Sequence, residues 1–251
     1  MKKILAIGNY TVIENIRNKV FYVILLFCVS VIGVDILLGF LAGEQQVRLM
    51  LDFGLGAIEI FGFLVAVFVA VTLILEEIES KTIYLLLSRP LKRTEYILGR
   101  YLGMLLTVII GLILMVMLHV AFLIPMGWRP EASYFVSIFG VVLKIILIST
   151  VALFFSLFST SAVASIVFTV FFWLLGHFGT ELKFLSSKIN NIFLKLIVEF
   201  FFYAMPNFQY MNFRDMPGTG GVSLTAAAAY TLVYSGICLT LCSLLFSKKE
   251  F

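Results

Sequence analysis

Three ionisable residues interrupt long apolar runs in this chain: Asp35, Glu59 and Lys144. Ionisable groups are costly at membrane depth, so residues of this kind face a bundle interior or a water-filled cavity and pair with one another. Counting ~1.5 Å of rise per residue, and with the orientation derived below, Asp35 and Glu59 fall in the outer half and Lys144 nearer the middle. The placement suits a pairing of Lys144 with Asp35 or Glu59. A structural ion pair, the lining of a substrate path, and water-exposed positions beyond shorter spans all remain open as readings.

The other reactive side chains form no catalytic or metal-binding pattern. His119 and His177 sit near span ends without a second ligand at metal spacing, which reads as interfacial or hydrogen-bonded histidine. Ser149, Ser156, Ser159 and Ser161 lack a nucleophile-elbow or dyad context. Like Gly54, Gly56 and Gly62, they suit close packing of helices. Cys28, Cys238 and Cys242 lie inside apolar runs, the last two one helical turn apart, as expected of packed or lipid-facing thiols rather than of a disulfide.

The elements that carry these residues are spans. Of 251 residues, 62% are hydrophobic and 13% charged, with a mean hydropathy of +1.11. No soluble domain of this size hides so much apolar surface, whereas several bilayer crossings require it. Nucleic-acid binding has no basic or aromatic cluster behind it, and no segment is polar enough for a nucleotide-binding domain. The expected fold is an all-α membrane protein in a single domain, residues 1–251, with six transmembrane helices near 20–43, 53–75, 97–125, 134–158, 162–178 and 224–246. Helix is the default because an open sheet leaves unpaired backbone groups in lipid. Lys2 and Lys3 resemble a signal n-region, but the first apolar run is long enough to be retained as a span.

Counting Lys and Arg in the loops sets the orientation. With the N-terminus inside, cytoplasmic segments hold eleven and outer segments six, four of the six in one long loop. Both termini are then cytoplasmic, in the inner membrane. Two further helices are expected outside the spans. In the N-terminal segment 1–19, Leu5, Val12, Ile13 and Ile16, with Val20, recur at helical spacing, which predicts an amphipathic helix on the inner membrane surface. In the outer-face loop 179–223, residues 181–204 carry Leu182, Leu185, Ile189, Phe193, Leu196 and Phe200 on one face. That pattern predicts one outer-face interfacial or re-entrant helix, closed by Pro206 and Asn207. No duplication relates the first three spans to the last three, which argues against an inverted-repeat transporter.

Between the second and third spans lies the charged segment 76–95. Glu76, Glu77 and Glu79 open it, and Ile78, Thr82, Leu85 and Leu86 share one side of a short helix that Arg89–Pro90 would close. Such a segment suits docking on a soluble partner, although ordinary positive-inside flanks have the same composition.

Three stretches carry a resemblance. The first runs from Glu77-x-Glu79-Ser80-Lys81-Thr82 through Leu85-Leu86-Leu87-Ser88-Arg89-Pro90 to Arg93-x-Glu95-Tyr96-x-x-Gly99-Arg100. The second is Pro206-Asn207-Phe208 with Asn212-Phe213-Arg214-Asp215, and the third is the ending Leu245 to Phe251. Together with the span layout they resemble permease subunits of type-2 ABC exporters over essentially the whole chain. Lys81 departs from the pattern, where the family often has Gly. The resemblance implies a dimer with a second copy or a related permease, set in membrane lipid and docked on two copies of an ABC ATPase. In that arrangement the segment between spans two and three is a coupling helix, and Glu77, Glu79, Thr82, Arg89 and Arg93 form its docking surface. ATP and Mg would belong to the ATPase. This chain has no Gly-x-x-x-x-Gly-Lys-Ser/Thr loop and is read as a non-catalytic subunit. Two alternatives remain, an ion-coupled transporter using Asp35, Glu59 and Lys144, and an intramembrane lipid-modifying enzyme.

Overall fold

The computed structural model describes residues 2–18, 20–41, 45–79, 92–159, 161–214 and 223–248. All regular structure among them is helical: α1 Lys2–Asn18, α2 Val20–Leu41, α3 Gln46–Glu79, α4 Arg93–Leu123, α5 Ala132–Phe158, α6 Ala162–His177, α7 Gly179–Lys188, α8 Ile192–Ala204 and α9 Leu224–Lys248, with 3-10 turns at Ile124–Met126 and Phe208–Met211. Four helices are long and apolar enough to cross a membrane, and a fifth crossing results if α6 and α7, bent by 69° against each other, count as one. The apolar part of α2, Tyr22–Leu38, is shorter.

Helix α5 is the most enclosed. Leu147 through Leu153 are buried without interruption, and the helix packs against α3, α9 and α6. The periphery is apolar. Leu25, Leu26, Val29 and Ile36 of α2 and Leu232, Val233, Ile237 and Leu244 of α9 are exposed. The buried face of α9 instead begins with Ala227, Thr231 and Ser235, small residues spaced by one turn, and ends with Cys242 and Phe246. Apolar outside and small inside is the arrangement that bilayer solvent favours, because lipid tails accept Leu as readily as a core does.

The N-terminal helix shows the same inversion. Leu5 and Ile13 of its apolar stripe are exposed, whereas Gly8, Thr11 and Asn15 are buried as α1 packs on α4. Glycines on both helices make the seat. A Cβ on Gly103 would lie 2.6 Å from the Gly8 carbonyl oxygen, and one on Gly99 would lie 2.8 Å from Ile7 Cβ. Arg100, 2% exposed, closes the joint. Its guanidinium donates to Thr11 Oγ1 at 2.9 Å and to Glu14 Oε2 at 2.8 Å, between the rings of Tyr10 and Tyr96.

Three expectations change, one of them the second span, expected over 53–75 and observed as Gln46–Glu79 because the helix continues through the polar residues on both sides. The single helix over 181–204 is two, α7 and α8, separated by residues 189–191. Asn191 is the cause: its side-chain oxygen accepts from the Phe193 and Leu194 amides and starts a new helix, an N-cap role that asparagine fills well. The third expected span, 97–125, begins four residues earlier, at Arg93. Of the expected coupling helix, residues 80–91, Thr82 and Arg89 among them, lie outside the described residues, as do the side chains of Glu77 and Glu79.

Candidate functional site

Three helices bring charge together. Glu59 comes from α3, Lys144 from α5 and His177 from the last turn of α6. Lys144 Nζ donates to both Glu59 carboxylate oxygens at 2.9 Å. His177 Nε2 lies 2.9 Å from Glu59 Oε1, and His177 Nδ1 lies 2.9 Å from the Trp173 carbonyl one turn back. The Lys144 side chain is 7% exposed and that of Glu59 16%. A buried pair of this kind is costly to break, because removing one partner leaves the other charged and desolvated.

The loop that follows α8 holds His177 in place. Gly176 and Gly179 flank the bend, and a Cβ at either would strike Pro206, Asn207 or Phe208. Glycine at these two positions lets Pro206-Asn207-Phe208 sit against the bend. Phe208 then stands 5.0 Å from the His177 ring and Trp173 4.6 Å from it. Gln209 Nε2 donates to the His177 carbonyl at 3.0 Å. The Asn207 side-chain oxygen accepts from Gln209 N, and the Asn207 backbone N–H donates to the Tyr230 hydroxyl. Gly140 of α5 makes room for Met211 and Phe213 in the same way, which carries Arg214 to the rim, where its Nε donates to Asp52 Oδ1 at 3.3 Å. These residues enclose a cavity of about 180 Å³ whose polar lining is Glu59, Ser137, Lys144, His177, Asn212 and Arg214.

Of the residues singled out in the sequence, Lys144 and Glu59 therefore meet, while Asp35 accepts from Gln46 Nε2 at the start of α3 and lines no part of this cavity. Arg93 is half-buried and donates to the carbonyls of Phe246 and Ser247 at 3.0 and 2.9 Å. It thereby caps the last turn of α9, where cations complement the helix dipole. His119 is fully buried. Its Nε2 reaches the Met50 carbonyl, its Nδ1 pairs with the Tyr134 hydroxyl, and Gly54 leaves the space for its ring. Sequence reasoning missed the partnership of His177 with Glu59 and the place of Arg214. The signal for both was the Pro206 to Arg214 stretch, whose glycine counterparts lie in other helices. Cys28, Cys238 and Cys242 are free thiols.

A charged intramembrane cluster in a helical, lipid-facing bundle is an arrangement found in membrane transport subunits. A family model described as ABC-2 family transporter protein matches residues 6–251. The chain belongs to that family and is a membrane permease of an ABC transporter, a multi-pass protein whose family membership implies an ABC ATPase as partner. No curated protein matches it in sequence.

Proposed function

We propose that this chain is the membrane subunit of an ATP-driven exporter. It works as a dimer with a second copy or a related permease, each docked on one ATPase subunit that binds ATP and Mg, while this chain itself is non-catalytic. The observation that carries the reading is the family match over residues 6–251. Six spans follow if α2 and the α6–α7 pair join the four long apolar helices. The 22 residues of α2 extend ~33 Å at ~1.5 Å each, which covers a ~30 Å hydrocarbon core. The excess of Lys and Arg at the α1 end favours both termini in the cytoplasm of an inner membrane.

Docking falls to the segment 76–95, with Glu77, Glu79, Thr82, Arg89 and Arg93 as its candidate residues. The joints at its exit support a coupling role. Arg93 grips the end of α9 and Arg100 grips α1, so a push on the segment reaches both helices through the first turns of α4.

Co-purification tests the reading. A stoichiometric ATPase accompanies the wild-type chain and is lost with the double charge reversal Glu77→Lys and Glu79→Lys. A stable chain that transports in vesicles on an ion gradient alone, with no ATPase, overturns it. That outcome would favour the ion-coupled alternative, for which the Glu59–Lys144–His177 cluster is the specific support, with Asp35 outside it.

A further inference from the structure

Hydrogen bonding ties the Glu59 carboxylate to His177 as well as to Lys144. The Trp173 carbonyl can only accept, so His177 Nδ1, 2.9 Å from it, carries a hydrogen. Nε2 faces Glu59 Oε1 at 2.9 Å. Two bare lone pairs repel at that distance, so one proton occupies the contact. Whether it rests on nitrogen or on oxygen, Glu59 and His177 together are neutral. With Lys144 as an ammonium, two cationic donors share the one Glu59 carboxylate, and Arg214 is matched by Asp52.

The cavity is thus lined by Lys144, His177 and Arg214 against the single carboxylate of Glu59. Lys144 is 5% exposed. Two of its three N–H groups serve Glu59, and the third has no acceptor among the described residues. Arg214 spends only Nε on Asp52, which leaves its terminal nitrogens without an acceptor among those residues. A buried charge is costly until a counter-ion joins it. The space of about 180 Å³ is far more than the ~10–15 Å³ that one water needs.

We propose that this cavity binds a phosphate-class oxyanion of the cargo, held by Lys144 from below and by the Arg214 guanidinium at the rim. The cargo role rests on the exporter reading above; the anion site itself rests on the cluster alone. The shared chemistry is the oxyanion, and its source is either the headgroup of an anionic lipid or a water-borne phosphate compound.

Trp173, 4.6 Å from the His177 ring, is a built-in reporter for the test. The full chain, co-expressed with its ATPase, is placed in nanodiscs of phosphatidylcholine and titrated with inorganic phosphate. In parallel, phosphatidylglycerol replaces part of the lipid. The expected result is a saturable change in tryptophan emission that disappears with Trp173→Phe and whose midpoint rises at least tenfold with Lys144→Met. Arg214→Gln at the exposed rim weakens it several-fold and tests the site even if Lys144→Met fails to assemble. A response to phosphate assigns a water-borne anion, and a response to phosphatidylglycerol alone assigns a lipid headgroup. No response to either probe, or one that Arg214→Gln and Lys144→Met leave unchanged, overturns the site. ATPase co-purification is scored on the same preparation. Loss of anion binding with the ATPase retained refutes the site alone, whereas anion binding without any ATPase refutes the exporter reading and the cargo role with it.

Discussion

Gly103→Ala should unseat α1. The added Cβ would lie 2.5 Å from Thr11 Cβ and 2.6 Å from the Gly8 carbonyl oxygen. The second contact is with backbone, so no rotamer change relieves it, and one helix must move. Gly33→Ala provides the comparison, because a Cβ there meets nothing within 4 Å. Both substitutions gain about 1 kcal/mol of intrinsic helix preference, which cancels between them. What remains is the overpacking at Gly103, roughly 1–3 kcal/mol. For a chain of about this size each kcal/mol shifts the melting midpoint by ~2–4 °C. Thermal unfolding in detergent should therefore put Gly103→Ala several degrees below Gly33→Ala. The displaced α1 should also expose Thr11, so a Thr11→Cys probe reacts with maleimide faster in the Gly103→Ala background. Equal melting points and equal labelling would refute the claim that this glycine seat holds the helix.

Gly54→Ala should displace His119, whose ring occupies the space a Cβ would need. We expect a loss of roughly 1–3 kcal/mol that Gly54→Ala with His119→Ala does not enlarge, a non-additivity that a double-mutant cycle by thermal unfolding measures. Arg93→Ala should free the last turn of α9. Losing a cation from a helix C-terminus costs ~0.3–1 kcal/mol at a half-exposed site, so amide exchange near Phe246 should quicken a few-fold, and unchanged exchange counts against the capping role.

The sequence announces helices more clearly than it announces their partners. Long apolar runs located α5 and α9 to within two residues of their observed ends, because hydropathy and helix coincide where a span fills the bilayer. Helix α3 runs from Gln46 to Glu79, well beyond the apolar window 53–75, since hydrogen bonding propagates through Asp52 and the glutamates without regard to polarity. The break at Asn191 stayed hidden because the apolar spacing continues across it, and periodicity does not register a cap. Within the site, the rarity of charge in apolar runs marked Glu59 and Lys144. Which acid Lys144 faces, and that His177 completes the cluster from 118 residues away, depends on helix packing, and no local pattern encodes that. The α1 stripe illustrates a further point. In a membrane protein the apolar face of a helix marks lipid as readily as core, so Leu5 and Ile13 pointed away from the face that packs.

The two arginines at the start of α4 also impose an order on biogenesis. Helix α1 leaves the ribosome before α4, yet its seat is built from Gly99, Arg100 and Gly103, so it must wait, amphipathic and undocked, until that stretch has been made. Arg93 waits longer still, because the carbonyls it caps belong to Phe246 and Ser247. The junction next to the charged segment is therefore closed only after α9 has been made. A permease truncated anywhere before α9 would lack the Phe246 and Ser247 carbonyls that Arg93 holds.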